Sequence, residues 1–134
     1  MDAIVSIDTN VLVRFLVEDD PKQCAAAKGL FEKQLCFITE SVLLEAEWVM
    51  RAVYEVDRKV IAAAYRALLR METVLFPDAG IFRQVITCFE AGFDFADAMH
   101  LVRSEGYPMK TFDRDLMKQA TAHGYKTSSP SGLD

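Results

Sequence analysis

The sequence predicts a three-layer α/β/α sandwich with a mostly parallel central sheet. Short runs of β-branched and other apolar residues recur along the chain, and longer segments with helical periodicity separate them. Residues that favour helix caps and turns stand between the two kinds of segment. Strands that alternate with helices pair in parallel and the helices cover both faces of the sheet, so this alternation predicts three layers.

Each element follows from a local pattern. The strand segments are short apolar runs at residues 3–7, 35–38, 73–76, 109–112 and, as an edge strand, 125–127. The helix segments repeat apolar residues at i, i+3, i+4 and i+7. In chain order, helices are expected to begin after the turn at 8–10, at Asp20, Thr39 or Ser41 and Asp57, after Pro77 and Asp78, and at Asp94 and about Arg114. Gly92 and Gly106 are expected to end the helices that precede them.

The composition predicts one globular domain. Of the 134 residues, 51% are hydrophobic and 26% are charged, and no repeat or linker divides them. We expect a single domain over residues 1–127 and a flexible tail over 128–134. No apolar run reaches the length of a bilayer and no secretory signal is evident at the amino terminus, so we expect a cytoplasmic protein without a membrane partner.

Cysteine, histidine and charge usage exclude several function classes. Cys24, Cys36 and Cys88 are widely spaced, so they are expected to be buried thiols rather than a zinc or redox motif. His100 and His123 have no second histidine or cysteine at ligand spacing. The net charge of −5 argues against nucleic-acid binding through a broad positive surface, although bound divalent cations would offset this charge in a nuclease.

Two aspartates occupy positions where α/β sheets bind ligands. Asp8 follows the first predicted strand and Asp113 follows the fourth, and ligands of open α/β sheets gather beyond the carboxyl ends of strands. Each aspartate has an alternative role as a helix cap, since its side chain can accept hydrogen bonds from the free amides of the following turn. Both alternatives stay open on the sequence alone.

A glutamate in the helix after the second strand is a third candidate. At about 100° per residue, Glu45 is centred on an apolar stripe made by Val42, Trp48, Val49 and Ala52. Burial of an uncompensated carboxylate is costly, so we predict that Glu45 is functional. Glu47 points to the other side with Arg51 four residues on, which predicts an ordinary surface ion pair. A partly exposed position at the edge of the stripe is the alternative for Glu45.

Asp97 completes a set of four separated acids. Asp94 is well placed to cap the helix that begins there, which leaves Asp97 without a clear capping role. Acids at strand ends and helix starts, without a cluster of histidines or cysteines, suit hard cations such as Mg²⁺ or Mn²⁺. Such sites perform phosphoryl chemistry, because the ion polarises a phosphate oxygen and lowers the pKa of a bound water.

The segments that carry these acids resemble one protein family. They are IDTNVLVRFL at 7–16, VLLEAEWVM at 42–50, FDFADAMH at 93–100 and TFDRDL at 111–116. In order and spacing they resemble the VapC toxins, which are the PIN-domain ribonucleases of bacterial and archaeal toxin-antitoxin pairs. The resemblance extends from about residue 4 to residue 125.

The resemblance implies an acidic quartet and several auxiliary residues. The implied quartet is Asp8, Glu45, Asp97 and Asp113, with Asp8 and Asp97 as the direct Mg²⁺ ligands. The implied auxiliary positions are Asp115 as a further acid, and Thr9, Asn10 and Thr111 as polar residues that orient the quartet. The division of roles between Asp113 and Asp115 stays open.

The resemblance also implies partners and a cofactor. The expected activity is Mg²⁺-dependent or Mn²⁺-dependent endonucleolytic cleavage of structured RNA, such as transfer RNA or a ribosomal RNA loop. The expected protein partners are a second copy of the chain and a small VapB-like antitoxin whose carboxyl-terminal segment covers the site. Operator DNA would be contacted only through the antitoxin.

Two other function classes remain as alternatives. A phosphatase of the haloacid dehalogenase type also begins from an aspartate after the first strand, but it requires a second acid where Asn10 stands. A non-catalytic interaction module would use the acids only as helix caps. Metal-dependent cleavage of RNA distinguishes the nuclease from both, since a phosphatase prefers small phosphoesters and an interaction module cleaves nothing.

Overall fold

The structure, a computed structural model, describes residues 3–130. Within these residues it has seven α-helices and five short β-strands. In chain order they are β1 Val5–Ser6, α1 Thr9–Leu16, α2 Pro21–Lys33, β2 Cys36–Phe37, α3 Glu40–Ala52, α4 Arg58–Arg70, β3 Val74–Leu75, α5 Ala79–Glu90, α6 Phe95–Val102, β4 Met109–Lys110, α7 Arg114–Ala122 and β5 Thr127–Ser128. The alternation of strands with helices is confirmed.

Six of these helices have a polar N-cap residue. The N-caps of α1, α2, α3, α4, α6 and α7 are Asp8, Asp20, Thr39, Asp57, Asp94 and Asp113. Each cap side chain accepts a hydrogen bond from a backbone amide of the first turn, which would otherwise lack a partner. At the other end of α5, Gly92 adopts a φ of 111°, which L side chains rarely occupy, so a glycine is required where the chain leaves this helix.

The chain divides into two compact units at a boundary inside α5. The amino-terminal unit ends at Arg83 and the carboxyl-terminal unit begins at Gln84. In the amino-terminal unit the strands form a parallel sheet in the order β1-β2-β3, with Val5 opposite Cys36 and Cys36 opposite Val74. The carboxyl-terminal unit contains the parallel pair β4-β5. The predicted parallel pairing is therefore confirmed.

Each unit has its own apolar core. Large side chains that are almost fully buried in the amino-terminal unit include Leu12, Phe31, Ile38, Leu43, Tyr65 and Phe82. Those of the carboxyl-terminal unit include Phe89, Phe93 and Phe95, and the rings of Phe89 and Phe95 meet edge to face at 5.4 Å. These side chains fix the helices against the strands and so position the loops that follow the strands.

Several element bounds differ from the sequence prediction. The hydrogen-bonded ladders join only two residues of each strand, so every strand is shorter than its apolar run. The last strand is Thr127–Ser128 rather than 125–127, because Met109 pairs with Thr127 and Lys110 with Ser128. Ser128 thus belongs to β5 although the sequence places it in the tail, and residues 131–134 of that tail lie outside the described residues.

The structure also describes the state of the cysteines and the length of the helices. The three cysteines are buried and free of disulfides, as predicted. None of the helices in residues 3–130 combines the length and the apolar character needed to cross a membrane.

Candidate active site

Asp8 lies where the chain leaves β1 and enters α1. Its side chain is exposed, and its Oδ1 accepts a hydrogen bond of 2.8 Å from the backbone amide of Thr9. This bond is the N-cap of α1, so the capping role predicted as an alternative is real. The bond uses one carboxylate oxygen and holds the side chain at the carboxyl end of the strand.

Glu45 lies in the second turn of α3, the helix that follows β2. The hydroxyl Oγ1 of Thr9, a side chain only 6% exposed, donates a hydrogen bond to Oε1 of Glu45. Because β1 and β2 are parallel neighbours, the segments that follow them begin at the same edge of the sheet. The structure therefore brings together Asp8, Thr9 and Glu45, and Thr9 connects the two acids.

The predicted faces of α3 are reversed. Glu45 is exposed and Trp48 on its face is 54% exposed, whereas Glu47 is buried at 3% exposure. The buried face of α3 consists of Leu43, Ala46, Glu47 and Met50, at i, i+3, i+4 and i+7. The prediction that Glu45 is centred on a buried apolar stripe is wrong, and so is the prediction that Glu47 forms an ordinary surface pair.

Glu47 tolerates burial because it is paired. Arg51 donates from Nε to Oε2 of Glu47 at 2.7 Å and from a terminal nitrogen to Oε1 at 3.4 Å. Tyr65 of α4 contacts this face of α3, where its hydroxyl donates to the backbone carbonyl of Leu43 at 2.7 Å. Burial, followed by the negative charge of Glu47, raises the pKa of Tyr65 well above its ordinary value. The spacing to Arg51 signals this pair, but it does not tell which side of the helix is buried.

Asp97 and Asp113 are the two acids of the candidate quartet that lie in the carboxyl-terminal unit. Burial, followed by the charges of Asp94 and Asp113, raises the pKa of Asp97, and His100 opposes this effect. Asp94 also caps α6, since its Oδ2 accepts a hydrogen bond of 3.1 Å from the backbone amide of Asp97. The sequence identified Asp94 as a cap but missed its electrostatic effect on Asp97, which the spacing of three residues at a helix start could have indicated.

Asp113 is held at the carboxyl end of β4 by two hydrogen bonds. Its backbone amide donates to Oγ1 of Thr111 at 3.0 Å, and its Oδ1 accepts from the backbone amide of Leu116 at 3.0 Å. Asp113 is therefore also a helix cap, and Thr111 orients the turn in which it lies. Asp115 is exposed in the first turn of α7.

Asn10 stands apart from these hydrogen bonds. It is exposed and lines a cavity of about 260 Å³ in the amino-terminal unit, together with Arg14 of α1 and Gln23 of α2. Arg14 donates to the hydroxyl of Tyr54 at 2.6 Å, which raises the pKa of Arg14, and it also pairs with Asp19 at 3.0 Å. Within residues 3–130, no hydrogen bond joins the side chain of Asn10 to an acid of the quartet.

The donor set suits a hard cation, although no ready metal cluster exists. Among residues 3–130, no three carboxylate, imidazole or thiolate side chains stand close enough together to hold a metal ion. The candidate ligands Asp8 and Asp97 offer carboxylate oxygens, the ligand type that Mg²⁺ and Mn²⁺ prefer. Burial, followed by the neighbouring negative charges, raises the pKa of Asp97, and a cation would relieve the repulsion from those charges. The residue types therefore fit a divalent ion.

Comparison with known proteins identifies the family of the chain. The family model described as "PIN domain" matches residues 5–122, which include all four acids of the candidate quartet. None of the curated proteins and none of the solved structures compared with the chain matches it. The matched region covers most of the chain, from β1 to the end of α7. The chain therefore belongs to the PIN domain family.

Proposed function

We propose that this PIN domain is a divalent-metal-dependent endoribonuclease and the toxin of a two-protein toxin-antitoxin pair of the VapC type. Family membership indicates a nuclease, and the observation that carries the proposal is that the family match encloses Asp8, Glu45, Asp97 and Asp113. The RNA substrate, the metal and the toxin role are parts of the proposal. They rest on the VapC-like spacing of the four acidic segments.

The four acids have different proposed roles. Asp8 and Asp97 are the proposed ligands of Mg²⁺ or Mn²⁺, which when bound would polarise a phosphate oxygen and activate a water molecule. Glu45 and Asp113 would position the attacking water and the reacting phosphate, with Asp115 as an auxiliary acid. The hydrogen bonds that Glu45 accepts from Thr9 and that Asp113 accepts from the backbone amide of Leu116 support this assignment, because they limit the motion of the two positioning carboxylates.

The proposed protein partners follow from the toxin role. A second copy of the chain would form a homodimer. A small VapB-like antitoxin would insert a basic side chain among the carboxylates and so replace the cation. Operator DNA would be bound through the antitoxin alone. Light scattering of the isolated chain measures the dimer, and co-expression with the antitoxin should relieve growth arrest.

The experiment that tests the nuclease is cleavage of total transfer RNA and ribosomal RNA by the purified chain. Cleavage should require Mg²⁺ or Mn²⁺ and should stop in excess chelator. Asp8→Asn should abolish it, while Glu72→Gln, which removes an exposed carboxylate from outside the quartet, should leave it unchanged. Cleavage that persists in chelator, or that Asp8→Asn and Glu72→Gln reduce equally, would contradict the proposal.

A further inference from the structure

The carboxyl-terminal unit has a cavity whose lining is more basic than the chain as a whole. The cavity has a volume of about 750 Å³, and its lining includes Arg114, Asp115, Lys118, Thr121, Thr127 and Ser128. Two lining residues are cations one turn apart on α7, one is an acid, and three carry hydroxyl groups. A positive lining on a chain of net charge −5 is suited to an anion.

A third cation is held at the edge of this cavity. Lys110 of β4 donates from Nζ to the hydroxyl of Ser128 at 2.8 Å, and Ser128 lines the cavity. The hydrogen bond anchors the exposed Lys110 side chain beside the cations of α7. Three cations and the hydroxyl groups of Thr121 and Ser128 in one place match a chain of phosphates better than a single carboxylate.

An exposed aromatic residue directly precedes Asp113 and lies two positions before the cavity-lining Arg114 in the sequence. Phe112 is 71% exposed, and it lies between Thr111 and Asp113. The hydrogen bond from the amide of Asp113 to Thr111 and the cap that Asp113 provides for α7 fix the backbone on both sides of Phe112. An exposed apolar ring on a restrained backbone is suited to stack on a flat partner.

We propose that the cavity binds the phosphate backbone of single-stranded RNA and that Phe112 stacks on an unpaired base beside Asp113. This inference rests on the proposed nuclease function and specifies how the substrate is held. A base inside a duplex is stacked between its neighbours and offers no free face to a side chain, so the preferred substrate is a loop or a single strand rather than a duplex. Phe112, Arg114 and Lys118 are binding residues in this proposal.

Binding is measured by fluorescence anisotropy with a short fluorescein-labelled single-stranded RNA, in an Asp8→Asn background that prevents cleavage. For a single strand, each neutralised phosphate contributes about −0.7 to the slope of log K against log salt concentration. The double variant Arg114→Gln/Lys118→Gln should therefore reduce the slope by about 1.4 and weaken binding about 10-fold at ~0.15 M salt. Arg70→Gln/Lys59→Gln removes the same charges from the exposed surface of α4 and should change neither quantity.

Stacking is tested separately. Phe112→Ala should weaken RNA binding about 5-fold to 150-fold, the range measured for the loss of one stacked base, and Phe112→Trp should retain affinity. Tyr107→Ala is the matched control, because Tyr107 is 74% exposed but precedes β4 instead of following it. A duplex of the same sequence should bind more weakly than the single strand and should not respond to Phe112→Ala.

The outcomes separate this inference from the nuclease proposal. If the wild-type chain cleaves RNA in a metal-dependent way but the cavity and Phe112 variants bind like their controls, the inference is overturned and the nuclease stands. If the variants lose binding as expected but the wild-type chain cleaves nothing, the binding surface stands without the nuclease. If the double variant does not fold, the single variant Lys118→Gln replaces it, because this variant leaves the first residue of α7 unchanged. Lys118→Gln should reduce the salt slope of RNA binding by about 0.7. The stacking would be refuted if the duplex bound more tightly than the single strand, or if Phe112→Ala weakened duplex binding as much as single-strand binding.

Discussion

Replacing the buried Glu47 with glutamine should destabilise the protein without touching the candidate site. Glu47 is 3% exposed and pairs with Arg51, whose side chain is 36% exposed. Glutamine preserves the volume of the side chain, so no cavity forms, but it removes the charge that the Arg51 guanidinium faces. The change therefore isolates the electrostatic contribution of this pair.

The size of the effect follows from the exposure of the two partners. Breaking a fully buried ion pair costs about 3–5 kcal/mol, because one charge is left buried without a partner. Arg51 can be solvated on its exposed side, so we expect a loss of about 2 kcal/mol in the free energy of unfolding. With an unfolding entropy of about 2.1 cal/mol/K per residue over 134 residues, this loss lowers the Tm by about 7 °C.

Glu45→Gln is the matched counterpart on the same helix. Glu45 is exposed, and a glutamine oxygen can still accept the hydrogen bond from Thr9, so the expected loss of stability is below about 0.5 kcal/mol. Under the proposed function the lost charge should lower the cleavage rate by about 100-fold. Glu47→Gln should cleave at the wild-type rate at a temperature where it is folded.

Circular dichroism during thermal melting and urea titration measures the difference in stability between the two variants. RNA cleavage at a temperature well below the Tm measures their activity. A Tm that falls further for Glu45→Gln than for Glu47→Gln would show that the buried face of α3 has been assigned incorrectly. Equal loss of cleavage in two folded variants would remove the functional distinction between the glutamates.

Three further predictions concern the other acids and Thr9. Because the pKa of Asp97 is raised in the folded state, the folded chain binds more protons than the unfolded chain just above the ordinary aspartate pKa, so stability falls as pH rises through that window. Asp97→Asn should remove this decrease in stability with pH, and its Tm at pH 7 in the absence of metal should be no lower than that of the wild type. A clearly lower Tm would refute this prediction. Asp113→Asn should keep the hydrogen bond from the Leu116 amide and the wild-type Tm, while the cleavage rate falls about 100-fold. Asp115→Asn should lose less activity. If Asp115→Asn loses more, Asp115 is the fourth acid of the site. Thr9→Val should reduce cleavage while the secondary structure measured by circular dichroism is retained, because the link to Glu45 is lost; unchanged cleavage would make that link irrelevant to function.

Local chemistry made much of the fold predictable. The caps Asp8, Asp94 and Asp113 mark helix starts because their side chains bond to amides one to three residues away, an interaction that depends on neighbours in sequence. The predicted three-layer α/β/α class is confirmed by the parallel sheet and by membership of the PIN family. Strand ends were less predictable, since the length of a ladder depends on the partner strand, as Ser128 shows.

The reversed faces of α3 show what a single sequence hides. Hydrophobic periodicity assumes that charged residues face water and tryptophan does not, and both assumptions fail here. Glu47 is buried because Arg51 lies within reach, and Trp48 is left 54% exposed. The sequence argument selected Glu45 because it was expected on a buried apolar stripe, but Glu45 is exposed. The parallel pairing of β1 with β2 and the hydrogen bond from Thr9, a contact between residues 36 positions apart in the sequence, hold Glu45 at this edge of the sheet.

Capping and catalysis are compatible roles for the same aspartate. At Asp8 and Asp113 the capping bond occupies one carboxylate oxygen and fixes the rotamer, which leaves the second oxygen for a cation or a water and lowers the cost of ordering it. The alternatives that the sequence left open are therefore not exclusive. Asp97 differs, because burial and two neighbouring carboxylates disfavour its charge. The charged form of Asp97 therefore stabilises the folded chain less than the protonated form does, and the cation proposed for the site would offset that cost.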